Sequence, residues 1–346
     1  MLKLIFRFFF SKKNFIFIFF SIYLKVAAQD PQFSQPYNAP LYLNPAFTGA
    51  TQTDRLVFNY RNQWPRLAGT FVTSLFSYDH NFEKYRSGLG VLATVDKVGI
   101  GGFNATTLSG LYSYYIPLNN DWVVRGGLQF TYANRNVNFY ELTFNDQIKD
   151  GSFTGSPTID NTGLGLQGSS VHFFDFSTGF IAYNKKAWFG ISANHLTRPN
   201  QSLNPSIESK LPIKLSVQTG IKIALNPTIN THLSYIVPSI LYRKQDIFQQ
   251  LDLNLSYQYD PIFIGVGYRG FPFQEITKGY YNQDALILTA GYKFEGLQFY
   301  YSHDITLSKL NGTGGSNEIG LMFNFTEKNK RQNNFVNFPS YMEAGK

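Results

Sequence analysis

Between residues 55 and 325 the chain alternates apolar and polar side chains, and this pattern constrains its fold more than any other feature. Leu, Val, Ile, Phe or Tyr occupies every second position in segment after segment. No apolar run in this region is long enough to cross a membrane as a helix, which takes about 20 residues. Segments of about ten residues with a period of two are typical of antiparallel transmembrane strands. The sequence therefore predicts an all-β fold, an outer-membrane β-barrel of about 14 antiparallel strands.

The composition fits a barrel better than a soluble domain or a helical membrane protein. Aromatic residues make up 17% of the 346 residues, whereas Asp, Glu, Lys and Arg together make up only 15%. Soluble domains carry about 25% charged residues, and a helical membrane protein would be far more apolar. A barrel combines an apolar outer wall with a polar interior. The chain has no cysteine, which excludes a disulfide framework, a thiolate metal site and a lipoprotein anchor.

The two ends of the chain lack the alternation. Residues 1–28 combine basic residues, an apolar stretch and the small residues Ala27 and Ala28, so we predict a signal peptide cleaved before Gln29. They hold five of the eight net positive charges, and the rest of the chain shows no Lys/Arg cluster for nucleic acid outside residues 326–346. We predict that residues 29–54 form an extended periplasmic lead-in. Residues 326–346 would be a periplasmic tail, either disordered or docking a periplasmic partner.

The alternation assigns both strands and faces within the predicted barrel, residues 55–325. The predicted strands are 55–63, 70–79, 88–95, 104–116, 122–135, 171–183, 187–196, 211–224, 230–243, 249–259, 262–269, 284–294, 297–306 and 317–325. A lipid-facing charge costs about 2–4 kcal/mol at the bilayer midplane, so the charged face of each strand is expected to line the lumen. The polar side chains predicted to face the lumen include Arg125, Gln129, Lys214, Lys222, Asp252, Asn254 and Glu318.

The links between the predicted strands indicate an orientation. Links after even-numbered strands are short, as at 184–186 and 260–261, whereas most links after odd-numbered strands are longer, notably 136–170. Outer-membrane barrels have short periplasmic turns and longer extracellular loops. We therefore expect residues 64–67, 136–170, 197–210 and 270–283 to lie outside the cell, where aromatic and amide groups are suited to contact a protein.

Motifs that resemble enzyme or cofactor sites lack the context they need. Residues 163–168 match G-x-G-x-x-G, but they lie in a predicted loop that leads into a strand and not into the helix that would bind a pyrophosphate. The five histidines have no metal-ligand spacing. Asp146, Asp150 and Asp160 lack the spacing of a calcium loop.

Two polar pairs are candidates for a hydrolase site. The adjacent His303 and Asp304 point to opposite faces of a strand and cannot cooperate directly. Asp175 and Ser177 share a face, but no histidine is near them in sequence. Hydrogen bonds between neighbouring strands are the simpler interpretation of these residues. We predict no enzyme activity, no cofactor and no metal site.

Several strings resemble the PorP/SprF family and span nearly the whole mature chain. The matching positions are Asn44, Pro45, Ala46, Gly49, Arg61, Asn62, Gln63, Trp64, Asp175, Ser177, Gly179, His195 and Pro199. The resemblance implies an outer-membrane component of the type IX secretion system of Bacteroidetes, which also serves gliding motility in some members. It implies as partners the outer-membrane lipid, a large secreted adhesin with a C-terminal sorting domain, and periplasmic secretion-ring or peptidoglycan-linked proteins. It assigns no role to the matching residues.

Two functions of different classes fit a barrel of this size. The resemblance implies support for the export or surface attachment of adhesins, and a barrel of about 14 strands is too narrow to pass a folded adhesin. The other function is a passive channel or a transporter of hydrophobic solutes. Inward charges such as Arg61, Arg125 and Asp252 would then line an open pore, whereas paired charges would close it. The sequence leaves both possibilities open.

Overall fold

The computed structural model describes residues 30–69, 71–99, 102–119, 121–137, 142–150, 152–155, 170–204, 206–225, 234–277, 280–294 and 296–325. The predicted signal peptide, the predicted tail and the G-x-G-x-x-G string lie outside the described residues. The described residues from Pro31 onward belong to one compact unit. In the part of the chain that the structure describes, no helix is long and apolar enough to cross a membrane.

Fourteen antiparallel strands of the described chain close into a barrel. They are β1 (Arg55–Gln63), β2 (Phe71–Phe82), β3 (Ser87–Val98), β4 (Phe103–Pro117), β5 (Val123–Val137), β6 (Ser170–Tyr183), β7 (Ala187–Asn194), β8 (Lys214–Ile221, continued by Ile223–Ala224), β9 (Ser234–Gln245), β10 (Phe248–Tyr259), β11 (Ile262–Thr277), β12 (Tyr280–Phe294), β13 (Leu297–Thr306) and β14 (Ser316–Asn324). Each strand pairs with its neighbours in the chain, and β1 pairs with β14, with Arg55 opposite Asn324. The predicted fold class and strand number are confirmed.

Burial alternates along the strands with the same period of two as the sequence. In β5, Arg125 is fully buried whereas Leu128 and Phe130 are 46% and 56% exposed. In β14, Glu318 is buried and its neighbour Ile319 is exposed. Apolar side chains therefore form the outward wall that meets lipid, and polar side chains point inward.

The predicted strands differ most from the structure at β11 and β12. The stretch 270–283 was predicted to be a loop, but β11 extends to Thr277 and β12 begins at Tyr280. The pairing of these strands shifts register at Gly270. A bulge of this kind moves the following side chains to the opposite face, which ends the alternation on which the prediction depended.

The segment before β1 folds inside the barrel. It contains two short 3-10 turns, Pro36–Asn38 and Pro45–Phe47, and a one-turn α-helix, α1 (Pro40–Leu43). Phe33, Ala46 and Phe47 are at most 1% exposed. The prediction of an extended segment was wrong, because prolines at the first positions of these turns favour helical backbone and the chain then packs against the barrel wall. We refer to residues 31–50 as the plug.

Candidate functional site: the plugged lumen

The second half of the plug packs against inward-facing glycines of the barrel wall. A Cβ placed at Gly127 in β5 would lie 2.5 Å from the Cα of Ala46, and one at Gly88 in β3 would lie 2.8 Å from the carbonyl carbon of Thr48. Real Cβ atoms essentially never approach other atoms to within 3.0 Å. Glycine therefore allows the two backbones to approach closely at these points. With Gly179 in β6, which lies under Asn44, these residues form what we call the glycine seat.

Asn44 anchors the plug to two strands at once. Its Nδ2 donates to the carbonyl oxygens of Phe180 in β6 and Ile191 in β7, at 3.3 and 3.0 Å. Its Oδ1 accepts a hydrogen bond of 2.9 Å from the backbone N–H of Ala46. Asn44 is fully buried. A buried amide whose donors and acceptor are all used fixes the orientation of the segment that carries it.

Two arginines hold the end of the plug that leads into β1. Arg125 donates from Nη1 to the carbonyl oxygen of Thr48 at 2.8 Å. Arg55 makes two parallel bonds to Asp79, of 3.0 and 2.9 Å, and Asp79 also accepts a bond of 2.7 Å from the backbone N–H of Gly49. Bidentate, charge-assisted bonds of this kind are strong and directional. Charged side chains of the wall thus satisfy backbone groups of the plug.

A chain of alternating charges crosses the inner wall on the other side of the barrel. In spatial order it runs through Glu318, Arg61, Asp304, Arg269, Asp252 and Arg243, and we call these six side chains the charge girdle. Arg61 lies 2.8 Å from Asp304 and 3.6 Å from Glu318. Arg269 lies 3.2 Å from Asp304 and 3.4 Å from Asp252, which also pairs with Arg243. All six are buried, and their formal charges cancel.

The charge girdle also binds the first half of the plug. The backbone N–H of Ser34 donates to Glu318, and Arg61 donates to the Ser34 hydroxyl. Arg269 donates from Nη2 to the carbonyl oxygen of Phe33 at 2.7 Å. Each buried ion would cost several kcal/mol without a partner. The plug therefore completes a polar network that the wall alone leaves incomplete.

Tyr37 joins the plug to β7, β8 and β9 of the wall. Its hydroxyl donates to the carbonyl oxygens of Ile240 at 3.3 Å and Thr219 at 3.5 Å, and its ring meets the Trp188 ring edge-on at 5.5 Å. Burial raises the pKa of the Tyr37 hydroxyl above its ordinary value. The phenol therefore stays protonated and keeps donating these bonds at every physiological pH.

The polar side chains predicted to face the lumen have varied environments. Gln129 donates to the hydroxyls of Ser109 and Thr131 at 3.1 and 3.0 Å. The ammonium of Lys214 lies over the ring of Tyr42 in the plug at 5.3 Å, and that of Lys222 lies over the ring of Tyr235 at 4.3 Å. Asn254 is half-buried next to Asp252. Arg125, Asp252 and Glu318 belong to the contacts already described.

The structure joins two of the strings on which the family resemblance rests. Asp175 in β6 accepts a hydrogen bond of 2.8 Å from the Thr197 hydroxyl, and its other oxygen lies 2.6 Å from Nδ1 of His195. Sequence reasoning missed this pair because it looked for a histidine nearby in sequence. The predicted turn at 184–186 could have revealed the pair. A short turn fixes the register between β6 and β7, and that register places His195 beside Asp175. These contacts tie the loop after β7 to the wall.

The remaining family positions lie within the strands or in the links that follow them. Ser177 is buried on the inward face of β6. Asn62 and Gln63 end β1 opposite Asn317 and Ser316 of β14. Trp64 follows, donates from its backbone N–H to the carbonyl oxygen of Gly315 at 2.7 Å and packs edge-on against Phe71. The carbonyl oxygen of Pro199 accepts a bond of 2.9 Å from Leu211.

The polar pairs considered for catalysis have structural partners. His303 lies 3.0 Å from Asn317 on the outward face, whereas its neighbour Asp304 belongs to the charge girdle inside the barrel. Among the described residues, no three His, Asp or Glu side chains are grouped to hold a metal ion. The contacts described above hold a chain segment inside the barrel.

Comparison with known proteins gives one family and several barrels. A family model described as type IX secretion system membrane protein PorP/SprF matches residues 25–323. The structure is similar to the CymD monoaromatic hydrocarbon channel, with 14% identity over 88% of this chain and 96% of that chain and a TM-score of 0.46. It is also similar to the P. putida toluene transporter TodX, with 10% identity, 84% and 94% coverage and a TM-score of 0.46. Acinetobacter baumannii Omp33 shares 7% identity over 80% of this chain and 100% of that chain, with a TM-score of 0.42. A search of curated protein sequences found no match.

Proposed function

Because the chain belongs to the PorP/SprF family of type IX secretion system membrane proteins, we propose that it is an outer-membrane anchor or adaptor of that machinery. In this role it supports the export or surface attachment of large adhesins that carry a C-terminal sorting domain, and in some cells gliding motility. The adhesin does not pass through this barrel. Family membership supports a role in the secretion machinery. The anchor or adaptor role is our proposal.

The plug is the observation that carries this proposal. It lies between the glycine seat on one side of the lumen and the charge girdle on the other. It packs closely against the seat, and hydrogen bonds join it to neighbouring groups of the wall and to the charge girdle. A segment held in this way obstructs the lumen of a 14-stranded barrel, which is already too narrow for a folded protein. The interior therefore suits a rigid surface component better than a conduit.

The partners follow from the two ends of the barrel. The short turns, such as Asn184 to Lys186 between β6 and β7, would face the periplasm and meet secretion-ring or peptidoglycan-linked proteins. The longer links, including 195–213, would face outward and meet the adhesin. Export through the inner membrane with cleavage before Gln29 belongs to the same proposal.

Gene deletion followed by quantitative mass spectrometry of surface and culture-fluid proteins tests the proposal. We expect selective loss of one or a few large surface proteins that carry the sorting domain, and recovery of those proteins when the wild-type gene is restored. Restoring a copy that lacks residues 145–168 tests the longest outer loop, since continued attachment would exclude that loop as the adhesin site. An unchanged surface with altered uptake of small solutes would contradict the proposal.

The channel hypothesis makes a different prediction for the purified protein. An anchor with a docked plug should be nearly silent in a planar bilayer, and deletion of the plug, residues 31–50, should produce steady conductance. High conductance of the wild-type protein, unchanged by that deletion, would favour a passive channel. Binding of a purified C-terminal sorting domain to the purified wild-type protein tests the anchor role by a measurement that does not depend on conductance.

A further inference from the structure

A groove of about 820 Å³ lies on the outward wall of β2, β3, β4 and β5. Its walls are apolar side chains that are more than a third exposed, among them Phe82, Leu89, Val91, Leu128 and Phe130. Volumes of about 300–1,000 Å³ are typical of sites that hold one small ligand. The groove therefore has room for part of one lipid molecule.

Gly110 in β4 forms the floor of the groove. It lies directly between Val91 in β3 and Phe130 in β5 in the cross-strand row of outward-facing side chains. A Cβ at Gly110 would meet no atom within 4 Å. The glycine thus leaves open space between two large side chains, unlike the glycines of the seat, which allow a close backbone contact.

One end of the groove is polar. Asp54, the residue before β1, accepts a hydrogen bond of 2.7 Å from the Tyr78 hydroxyl and pairs with Nδ1 of His80. The side chains of His80 and Asp54 are 38% and 32% exposed, so both remain accessible. This end lies beside the short turns of the barrel, where an apolar wall gives way to the membrane surface.

We propose that the groove binds one phospholipid whose headgroup carries a primary ammonium, such as a phosphatidylethanolamine. An acyl chain over Gly110 fills the open space between Val91 and Phe130 and gains van der Waals contacts with their side chains. The ammonium of the same lipid meets the carboxylate of Asp54. Charge complementarity disfavours a phospholipid with a purely anionic headgroup. The assignment to phospholipid rests on the proposed periplasmic side of the short turns.

Two leucine substitutions on neighbouring strands test the groove. Gly110→Leu fills the floor, and Gly126→Leu places the same side chain at an outward-facing glycine of β5 that also has no atom within 4 Å and does not line the groove. Both proteins are reconstituted into vesicles with equal phosphatidylethanolamine and phosphatidylglycerol, extracted in mild detergent and examined by native mass spectrometry. Heat-modifiable gel mobility shows that each barrel is folded.

We expect the wild type and Gly126→Leu to retain one phosphatidylethanolamine per barrel, and Gly110→Leu to retain at least tenfold less. Asp54→Asn should lower the preference for phosphatidylethanolamine over phosphatidylglycerol about threefold, as for a partly exposed ion pair. Equal retention by Gly110→Leu and Gly126→Leu would overturn the site, and equal retention of both lipids by the wild type would overturn the headgroup assignment. Co-purification of a protein in place of lipid, lost only in Gly110→Leu, would identify another occupant and overturn the proposal. These readouts use purified protein, so their failure is distinct from a failure of the adhesin assay.

Discussion

Gly127→Ala is expected to displace the plug, whereas Gly126→Ala, one residue earlier in β5, leaves it docked. A Cβ at Gly127 would lie 2.5 Å from the Cα of Ala46, against 3.4 Å for an ordinary contact, an overlap of about 0.9 Å. The atoms it meets are backbone atoms, so no flexible side chain can move aside. Overpacking of this kind costs about 1–3 kcal/mol. The ratio of docked to undocked plug should fall by a factor of about 5 to 150.

Thiol labelling measures this ratio directly, because the chain has no cysteine of its own. Thr48→Cys introduces a single thiol at a fully buried position of the plug. If a water-soluble maleimide reacts only when the plug is undocked, the labelling rate rises by the same factor as the undocked population. We expect Gly127→Ala to accelerate labelling about 5- to 150-fold over the parent with Thr48→Cys alone. Openings in planar-bilayer recordings should become more frequent as well.

Gly126→Ala serves as the matched control, since a Cβ there meets nothing within 4 Å. Alanine in a strand loses less backbone entropy on folding than glycine, so this variant should be as stable as the parent or slightly more stable. Equal labelling rates in Gly126→Ala and Gly127→Ala would refute the close approach of plug and wall. Slower labelling in Gly127→Ala would refute it as well.

The other contacts of the plug and the lumen give further predictions. Arg269→Gln removes one cation from between Asp252 and Asp304 and should lower the free energy of unfolding in vesicles by about 3–5 kcal/mol, because two buried carboxylates each lose a partner. Lys210→Gln, in an exposed ion pair, should change it by less than about 1 kcal/mol, and similar losses in both variants would contradict the burial argument. Asn44→Ala should weaken docking by about 1–3 kcal/mol by leaving strand carbonyls and a plug N–H unpaired. Hydrogen exchange of the residues that follow should then accelerate, and unchanged protection would show that the amide is not an anchor.

The barrel was predictable because its outward face meets lipid and carries apolar side chains, whereas its inward face carries mostly polar ones. The predicted bounds 55–63 and 297–306 coincide with β1 and β13, since apolar side chains occupy every second position in the first part of each strand. The prediction failed where a backbone irregularity intervenes, as at Gly270, because a bulge shifts the period without changing the residue types. The residues after the bulge still form a strand, but their apolar and polar side chains no longer follow the period of two from which strands are predicted.

The plug was not predictable from its own sequence, because short turns stabilised by tertiary contacts have no period. A partial signal lies in the wall. Gly127 lies between Arg125 and Gln129 on the face predicted to line the lumen, and Gly179 shares a face with Asp175 and Ser177. An inward-facing glycine marks a close approach of another group to the wall. At Gly127 that group is the plug backbone, whereas at Gly220 and Gly320 it is an aromatic ring of the wall, so an inward glycine alone does not identify a plug.

The inward charges separate the anchor hypothesis from the channel hypothesis on physical grounds. In an open pore these side chains would be solvated and available to ions. Here Glu318 accepts from the backbone of Ser34, Arg125 donates to the carbonyl oxygen of Thr48, and Asp79 accepts from the N–H of Gly49. Each charge that is used in this way would lose a hydrogen-bond partner if the plug left, at about 1–3 kcal/mol apiece. An interior whose charges depend on an occupying segment is built to stay closed, and this favours a fixed surface component over a passive pore.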